Sequence, residues 1–307
     1  MARTNKRKLD GILVLDKAAG ITSNGALQDA KHLFEAAKAG HTGSLDPIAT
    51  GVLPLCFGEA TKFSQFLLEA DKRYQATFML GVETTSGDSE GEVISTRPVP
   101  ALTFAGLEAV LAGFRGEIQQ IPSMFSAIKV GGQPLYKLAR QGIEIEREPR
   151  TVQIHELVLT GFSANEVQVE IKCSKGTYVR SLAEDVGKVL GCGAHVNQLR
   201  RLASGPFEIS ASHTLESLIK LKEISGLDAI DALLEPAASA VRDWPAVALT
   251  ELTAAYFRQG QPVQIAKAPV EGWVRIFSES DGDENVFLGV GEILEDGRVA
   301  PRRLVAA

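Results

Sequence analysis

The sequence predicts an α+β protein: a mixed, largely antiparallel sheet with flanking helices, followed by a small C-terminal β-barrel. Three observations carry that prediction. Val167, Val169, Ile171 and Cys173 alternate with Gln168, Glu170 and Lys172, the period-two pattern of a half-buried strand. Val179, Leu182, Val186 and Leu190 follow at helical spacing and stop at Gly191, so both periods occur in the same part of the chain. Beyond Trp244-Pro245 the texture changes to short β segments.

Taken in order, Gly11-Ile12-Leu13-Val14-Leu15 is a short apolar run that reads as a strand. Asn24 is the candidate N-cap of a helix whose apolar positions are Leu27, Ala30 and Phe34. Tyr74 to Leu80 has strand composition, and Phe104, Leu107, Leu111 and Phe114 form a helical stripe that Gly116 closes. Residues 123–150, with Gly131-Gly132, Pro134 and dense charge, read as a mobile projection. Residues 214–240 read as helical. Val263-Gln264-Ile265, Gly272 to Phe277, Val286 to Val290 and Arg298-Val299-Ala300 read as strands, with hairpin turns at Asp281-Gly282 and Asp296-Gly297. Two domains are expected, residues 1–245 and 246–307.

The chain has 307 residues, enough for one large domain plus a small one, and its 45% hydrophobic and 23% charged residues are those of a globular protein rather than a disordered one. The basic start, Lys6-Arg7-Lys8 included, is not followed by the apolar stretch of a secretory signal, and no apolar run approaches bilayer-spanning length, so a cytoplasmic protein is expected. Cys56, Cys173 and Cys192 form no C-x-x-C pair and read as buried free thiols; the five histidines show no metal-ligand spacing. No metal site is expected. The net charge of −6 is the wrong sign for whole-chain attraction to nucleic acid. A specific RNA site needs only a local basic face, for which Arg140, Arg147, Arg150, Arg200, Arg201, Arg302 and Arg303 are candidates.

The stretch from Gly40 to Pro54 places one acid, Asp46, in a segment rich in glycine and followed by Pro47, which turns Asp46 away from the α region. Its residues allow two readings. Asp46 bonds its own backbone in a turn, or its carboxylate faces a ligand.

The whole string Gly40-His41-Thr42-Gly43-Ser44-Leu45-Asp46-Pro47-Ile48-Ala49-Thr50-Gly51-Val52-Leu53-Pro54 resembles the catalytic-aspartate motif of the bacterial TruB family of tRNA pseudouridine-55 synthases. Gly58 to Phe63, Asp71-Lys72-Arg73-Tyr74, Ile121 to Ala127, Cys173 to Arg180, and Gly193-Ala194-His195-Val196 through Leu199-Arg200-Arg201-Leu202 resemble further motifs of that family in the same order. The resemblance runs from about Gly11 to Leu304. It implies the pseudouridine synthase fold, a PUA-like RNA-binding C-terminal domain, and an RNA-gripping thumb at about residues 123–150.

The resemblance further implies an isomerase that converts uridine to pseudouridine at position 55 in the T-loop of tRNA. The base is detached, turned and rejoined, so no cofactor or other small molecule is required; this agrees with the lack of a dinucleotide fingerprint or Walker motif. Asp46 matches the catalytic aspartate, as nucleophile or base. Arg180 matches its partner; read alone, it is a phosphate contact or a surface arginine. Tyr74 matches a residue that stacks on the target base, though it also suits a core position on a strand. Tyr178 and Leu199 match residues lining the uridine pocket, and either also suits the core. His41 matches a histidine lying against the RNA near the flipped base. The partner implied is the tRNA T-arm stem-loop, bound by a monomer without a guide RNA and away from any membrane. Ala18 stands where the family has proline, and Glu83 to Asp88 replaces a more acidic pattern; neither is expected to touch the catalytic set. Two alternatives stand beside this reading: an RNA chaperone whose main act is gripping tRNA, and a cofactor-free enzyme on a non-RNA substrate with the glycine-rich loop as an anion nest.

Overall fold

Strand Gly11–Lys17 is almost wholly buried on both faces, which is why it reads as a continuous apolar run rather than an alternating one. It lies inside a ten-stranded sheet in a computed structural model that describes residues 6–126, 128–265, 269–279 and 285–306. Residues 1–5 of the basic start, Ala127 and the Asp281-Gly282 turn lie outside those residues. The main path across the sheet is His213–Thr214, Gly11–Lys17, Thr50–Phe57, Ala194–Ser204, Lys72–Leu80, Glu166–Cys173, Arg150–Phe162 and Gly116–Gln120. Most neighbours on that path are antiparallel. The exceptions are Gly11–Lys17 with His213–Thr214, and Thr50–Phe57 with Ala194–Ser204. The sheet is therefore mixed and largely antiparallel.

One face of the sheet, through Leu13, Leu15, Leu53, Phe78, Val169 and Ile171, packs under helices Ser23–Leu33, Phe104–Ala112 and Val179–Val189. The cap of the first helix is Thr22, whose hydroxyl accepts from the Gly25 N–H at 3.0 Å. Asn24 already lies inside that helix, so the cap falls two residues earlier than the sequence suggests. The helix carrying Leu107 and Leu111 stops at Ala112 with Gly113 as its cap; Gly116, at φ +88°, instead opens the next strand. Phe104 is left exposed at the start of that helix, and Phe114 falls beyond its end.

The C-terminal unit is a five-stranded sheet in the order Ala246–Leu249, Trp273–Ser278, Val286–Ile293, Arg298–Leu304, Val263–Gln264. The sequence reading missed its first strand and the helix Glu251–Arg258, whose Ala254 and Phe257 fill the core between them. Only these two helix residues are buried, too few for a long periodic stripe. Aromatic rings join this unit to the short helical turns that follow Thr50–Phe57: Phe66 meets Trp273 at 5.5 Å and Phe63 meets Phe287 at 5.3 Å between centroids. Lys62 Nζ donates to the Leu304 carbonyl at 3.0 Å, and the Ala306 N–H donates to Glu59 at 2.6 Å. Among the described residues, no helix is long and apolar enough to cross a membrane.

Candidate active site

Asp46 lies on the loop between the paired strands Ala39–His41 and Thr50–Phe57. Backbone ties hold that loop from several sides. The Leu45 N–H donates to Ser23 Oγ at 2.7 Å, whose hydroxyl returns a bond to the Leu45 carbonyl at 3.0 Å. The Pro47 carbonyl accepts from the Gly20 N–H at 2.9 Å and from Lys17 Nζ at 3.3 Å. Among the described residues no backbone N–H donates to the Asp46 carboxylate. The carboxylate does not bond its own backbone but reaches a side-chain partner from a distant part of the chain.

That partner is Arg180. Its Nε lies 3.0 Å from Asp46 Oδ2, and its Nη2 donates to Oδ1 at 3.2 Å, a two-point contact of fork against carboxylate. Arg180 occupies the first turn of helix Val179–Val189 and is itself buried. The start of that helix is fixed by Gln120, whose side chain accepts from the Tyr178 N–H at 3.0 Å and donates to the Tyr178 carbonyl at 3.3 Å. The rest of the guanidinium is saturated: Nη1 donates to the Ser86 carbonyl at 3.0 Å and stands 3.5 Å from Asp88 Oδ2, while Nη2 also donates to the Phe125 carbonyl at 2.9 Å. Ser86 Oγ in turn donates to Asp88 Oδ1 at 2.5 Å.

Asp88 and Ser86 were therefore missed by the sequence reading, which set the Glu83–Asp88 segment apart from the expected catalytic set. Their signal was faint: one acid after Gly87 in a loop whose fold depends on a contact 92 residues away.

Burial raises the Asp46 pKa from its ordinary value; Arg180 and Lys17 oppose the rise and Asp88 adds to it. Lys17 is fully buried, donates to the Ala18 and Ile21 carbonyls at 2.8 Å each, and is pushed down to about 8 by that burial.

Asp46, Arg180 and His41 line one open cavity of about 1070 Å³. The His41 imidazole is held below its usual pKa by burial and by the charge of Arg201, and its buried Nδ1 has no hydrogen-bond partner among the described residues. Tyr74, Tyr178 and Leu199 are not among the residues of that cavity wall. Leu199 belongs to the apolar core and Tyr74 packs against it, although Tyr74 lies close enough to Asp46 for the carboxylate to raise its phenol pKa, which burial raises most.

The basic face expected around Asp46 is only partly there. Arg140 lines the cavity, stacked on Tyr136, but Asp88, Glu90, Glu92 and Glu144 line it too. Arg147 donates to the Pro122 carbonyl at 3.0 Å, and Arg302 pairs with Glu292 at 2.7 Å. Arg200 pairs with Asp16 at 2.7 Å and Arg201 is fully buried, so neither is a free surface cation. Carbonyls and acids brought from elsewhere in the chain engage these cations, which a count along the chain does not reveal.

Comparison with known proteins gives one answer along the chain. Residues 31–179 match the N-terminal domain of TruB family pseudouridylate synthases, residues 180–242 match the C-terminal domain of tRNA pseudouridylate synthase B, and residues 245–305 match the TruB C-terminal domain of pseudouridine synthase II. The tRNA pseudouridine synthase B of Stutzerimonas stutzeri is 54% identical over 300 residues, covering 98% of this chain and 97% of that protein. The protein of the same name from Nitrosococcus oceani is 54% identical over 303 residues, 99% of this chain and 97% of that one. Among solved structures, a Cbf5-Nop10-Gar1 complex aligns with a TM-score of 0.74 at 25% identity, over 96% of this chain and 85% of the matched one.

Proposed function

The chain belongs to the TruB family, and from that premise we propose that it modifies the T-loop of tRNA at position 55, with Asp46 as the reacting carboxylate. The family membership carries the enzyme class: the protein is a tRNA pseudouridine synthase with the pseudouridine synthase fold and a PUA-like C-terminal unit. The reaction breaks the N1–C1′ bond of uridine and forms C5–C1′, with loss of the C5 proton and gain of one at N1. Nothing is oxidised or reduced and no group leaves the RNA. One ionised carboxylate on the sugar side suffices as nucleophile or base.

The observation that carries the reading is the two-point Arg180–Asp46 contact at the wall of the cavity. Burial works against the charge on Asp46, and Arg180 works for it. In this proposal His41 lies against the RNA, Tyr74 meets the displaced base, and Tyr178 and Leu199 support the pocket. Residues 123–150 grip the T-arm, 1–245 form the catalytic domain and 246–307 the RNA-binding one. The enzyme works as a cytoplasmic monomer without a guide RNA. The Asp46–Arg180–Asp88 set favours catalysis over a purely chaperoning role, since gripping RNA needs no buried carboxylate pair. Mapping pseudouridine in total tRNA from cells with and without the protein tests this: loss confined to position 55 is expected, and an unchanged position 55 contradicts it.

A further inference from the structure

Among the described residues, Arg201 is the largest fully buried side chain, at 1% exposure. A buried guanidinium ordinarily has a carboxylate beside it, because an uncompensated charge in the interior is strongly unfavourable. Arg201 has backbone carbonyls instead. Its Nε donates to Val52 at 2.6 Å and its Nη2 to Gly43 at 3.3 Å, one on each arm of the loop that carries Asp46. Arg201 stands in register with Gly51 on one side and with Tyr74 on the other, and Gly51 is in register with Lys17. A Cβ at Gly51, where φ is +102°, would lie 2.2 Å from the Arg201 carbonyl, so the two strands meet as closely as glycine allows.

The groups around Tyr74 are Arg201, Cys173 and Asp46, and His41 also feels the charge of Arg201. Lys17 and Lys72 are nearby, but burial holds both near 8, whereas an arginine keeps its charge throughout. We propose that Arg201 is a positioning residue for the isomerisation: it clamps both arms of the Asp46 loop and keeps a permanent positive charge beneath His41 and Tyr74. This rests on the reading of Asp46 as the reacting carboxylate. Burial first and this charge second hold the His41 pKa below its usual value, and the charge opposes the burial that makes the Tyr74 phenol a weaker acid.

The test compares Arg201→Gln, which removes the charge, with Arg201→Lys, which keeps it but loses the fork; Asp46→Asn is the control. Single-turnover rates are measured on a T-arm stem-loop at saturating concentration, RNA affinity is measured separately, and the His41 titration is followed by NMR. Arg201→Gln should lower the rate about 100-fold through misplacement of the loop, with RNA affinity changed about threefold at most, and should move the His41 midpoint upward. Arg201→Lys should leave that midpoint in place and still lower the rate about tenfold. A wild-type rate in Arg201→Lys overturns the clamp, and this holds even where Arg201→Gln does not fold. An unmoved His41 midpoint in folded Arg201→Gln overturns the electrostatic part. If Asp46→Asn keeps its activity, the reading of Asp46 has failed and the proposal goes with it.

Discussion

Arg180 meets Asp46 through two nitrogens, Nε at 3.0 Å and Nη2 at 3.2 Å, from the first turn of a helix 134 residues farther along the chain. Burial pushes the Asp46 pKa up and Arg180 pulls it down. Catalysis by an ionised Asp46 rises as pH climbs through that pKa. In Arg180→Met the opposing charge is gone, so the pKa rises further and the acid limb of the single-turnover profile moves to higher pH, with a lower plateau. Arg180→Lys should recover part of the plateau, because an ammonium cannot reproduce the fork. A profile that keeps its acid limb in Arg180→Met would separate Arg180 from the ionisation of Asp46.

Asp88 moves the same profile the other way. Its charge raises the Asp46 pKa, so Asp88→Asn should shift the acid limb to lower pH. The plateau should still fall, by about tenfold to 100-fold, because Arg180 loses one of the groups that orient it. Opposite shifts from Arg180→Met and Asp88→Asn distinguish a coupled charge network from general damage to the fold.

Gly51→Ala should be destabilising by about 3 kcal/mol or more, since it combines a left-handed backbone with a direct overlap on the Arg201 backbone. Urea unfolding monitored by circular dichroism measures this. A loss below about 1 kcal/mol would mean that the two strands can separate without cost.

Salt dependence reports which cations reach phosphate. Arg140 and Arg150 are exposed, and neither is in an ion pair among the described residues. Arg140→Ala and Arg150→Ala should each weaken RNA binding and reduce the slope of log affinity against log salt by about 0.7–0.9. The rate at saturating RNA should stay near wild type. Arg302→Ala, which breaks a pair with Glu292, should change the slope less.

Much of the fold could be read from local pattern. The strand with buried Val167, Val169, Ile171 and Cys173 and the helix with buried Val179, Leu182 and Val186 both follow the periods of their sequence. The Asp46 loop stood out because Gly43 and Pro47 suit no regular element, although Gly40 and Gly51 of the same string lie on the flanking strands. What stayed hidden depends on chain segments brought together from a distance. Arg200 and Arg201 look alike in sequence, yet on a strand successive side chains face opposite sides; one meets Asp16 at the surface and the other is sealed beneath the Asp46 loop. Lys17 and Asp88 are equally silent until the sheet and the Ser86 loop place them around Asp46. Thr22 rather than Asn24 caps its helix because the hydroxyl reaches the Gly25 N–H, a choice between two good capping residues that composition leaves open.

The central claim is that the Asp46 carboxylate reacts. Asp46→Asn keeps the shape of the side chain and removes its charge. Single-turnover pseudouridine formation on a saturating T-arm stem-loop is the most direct measurement. The account predicts a fall of about four orders of magnitude with RNA affinity little changed. A purified, folded Asp46→Asn protein that forms pseudouridine at a near-normal rate would contradict it.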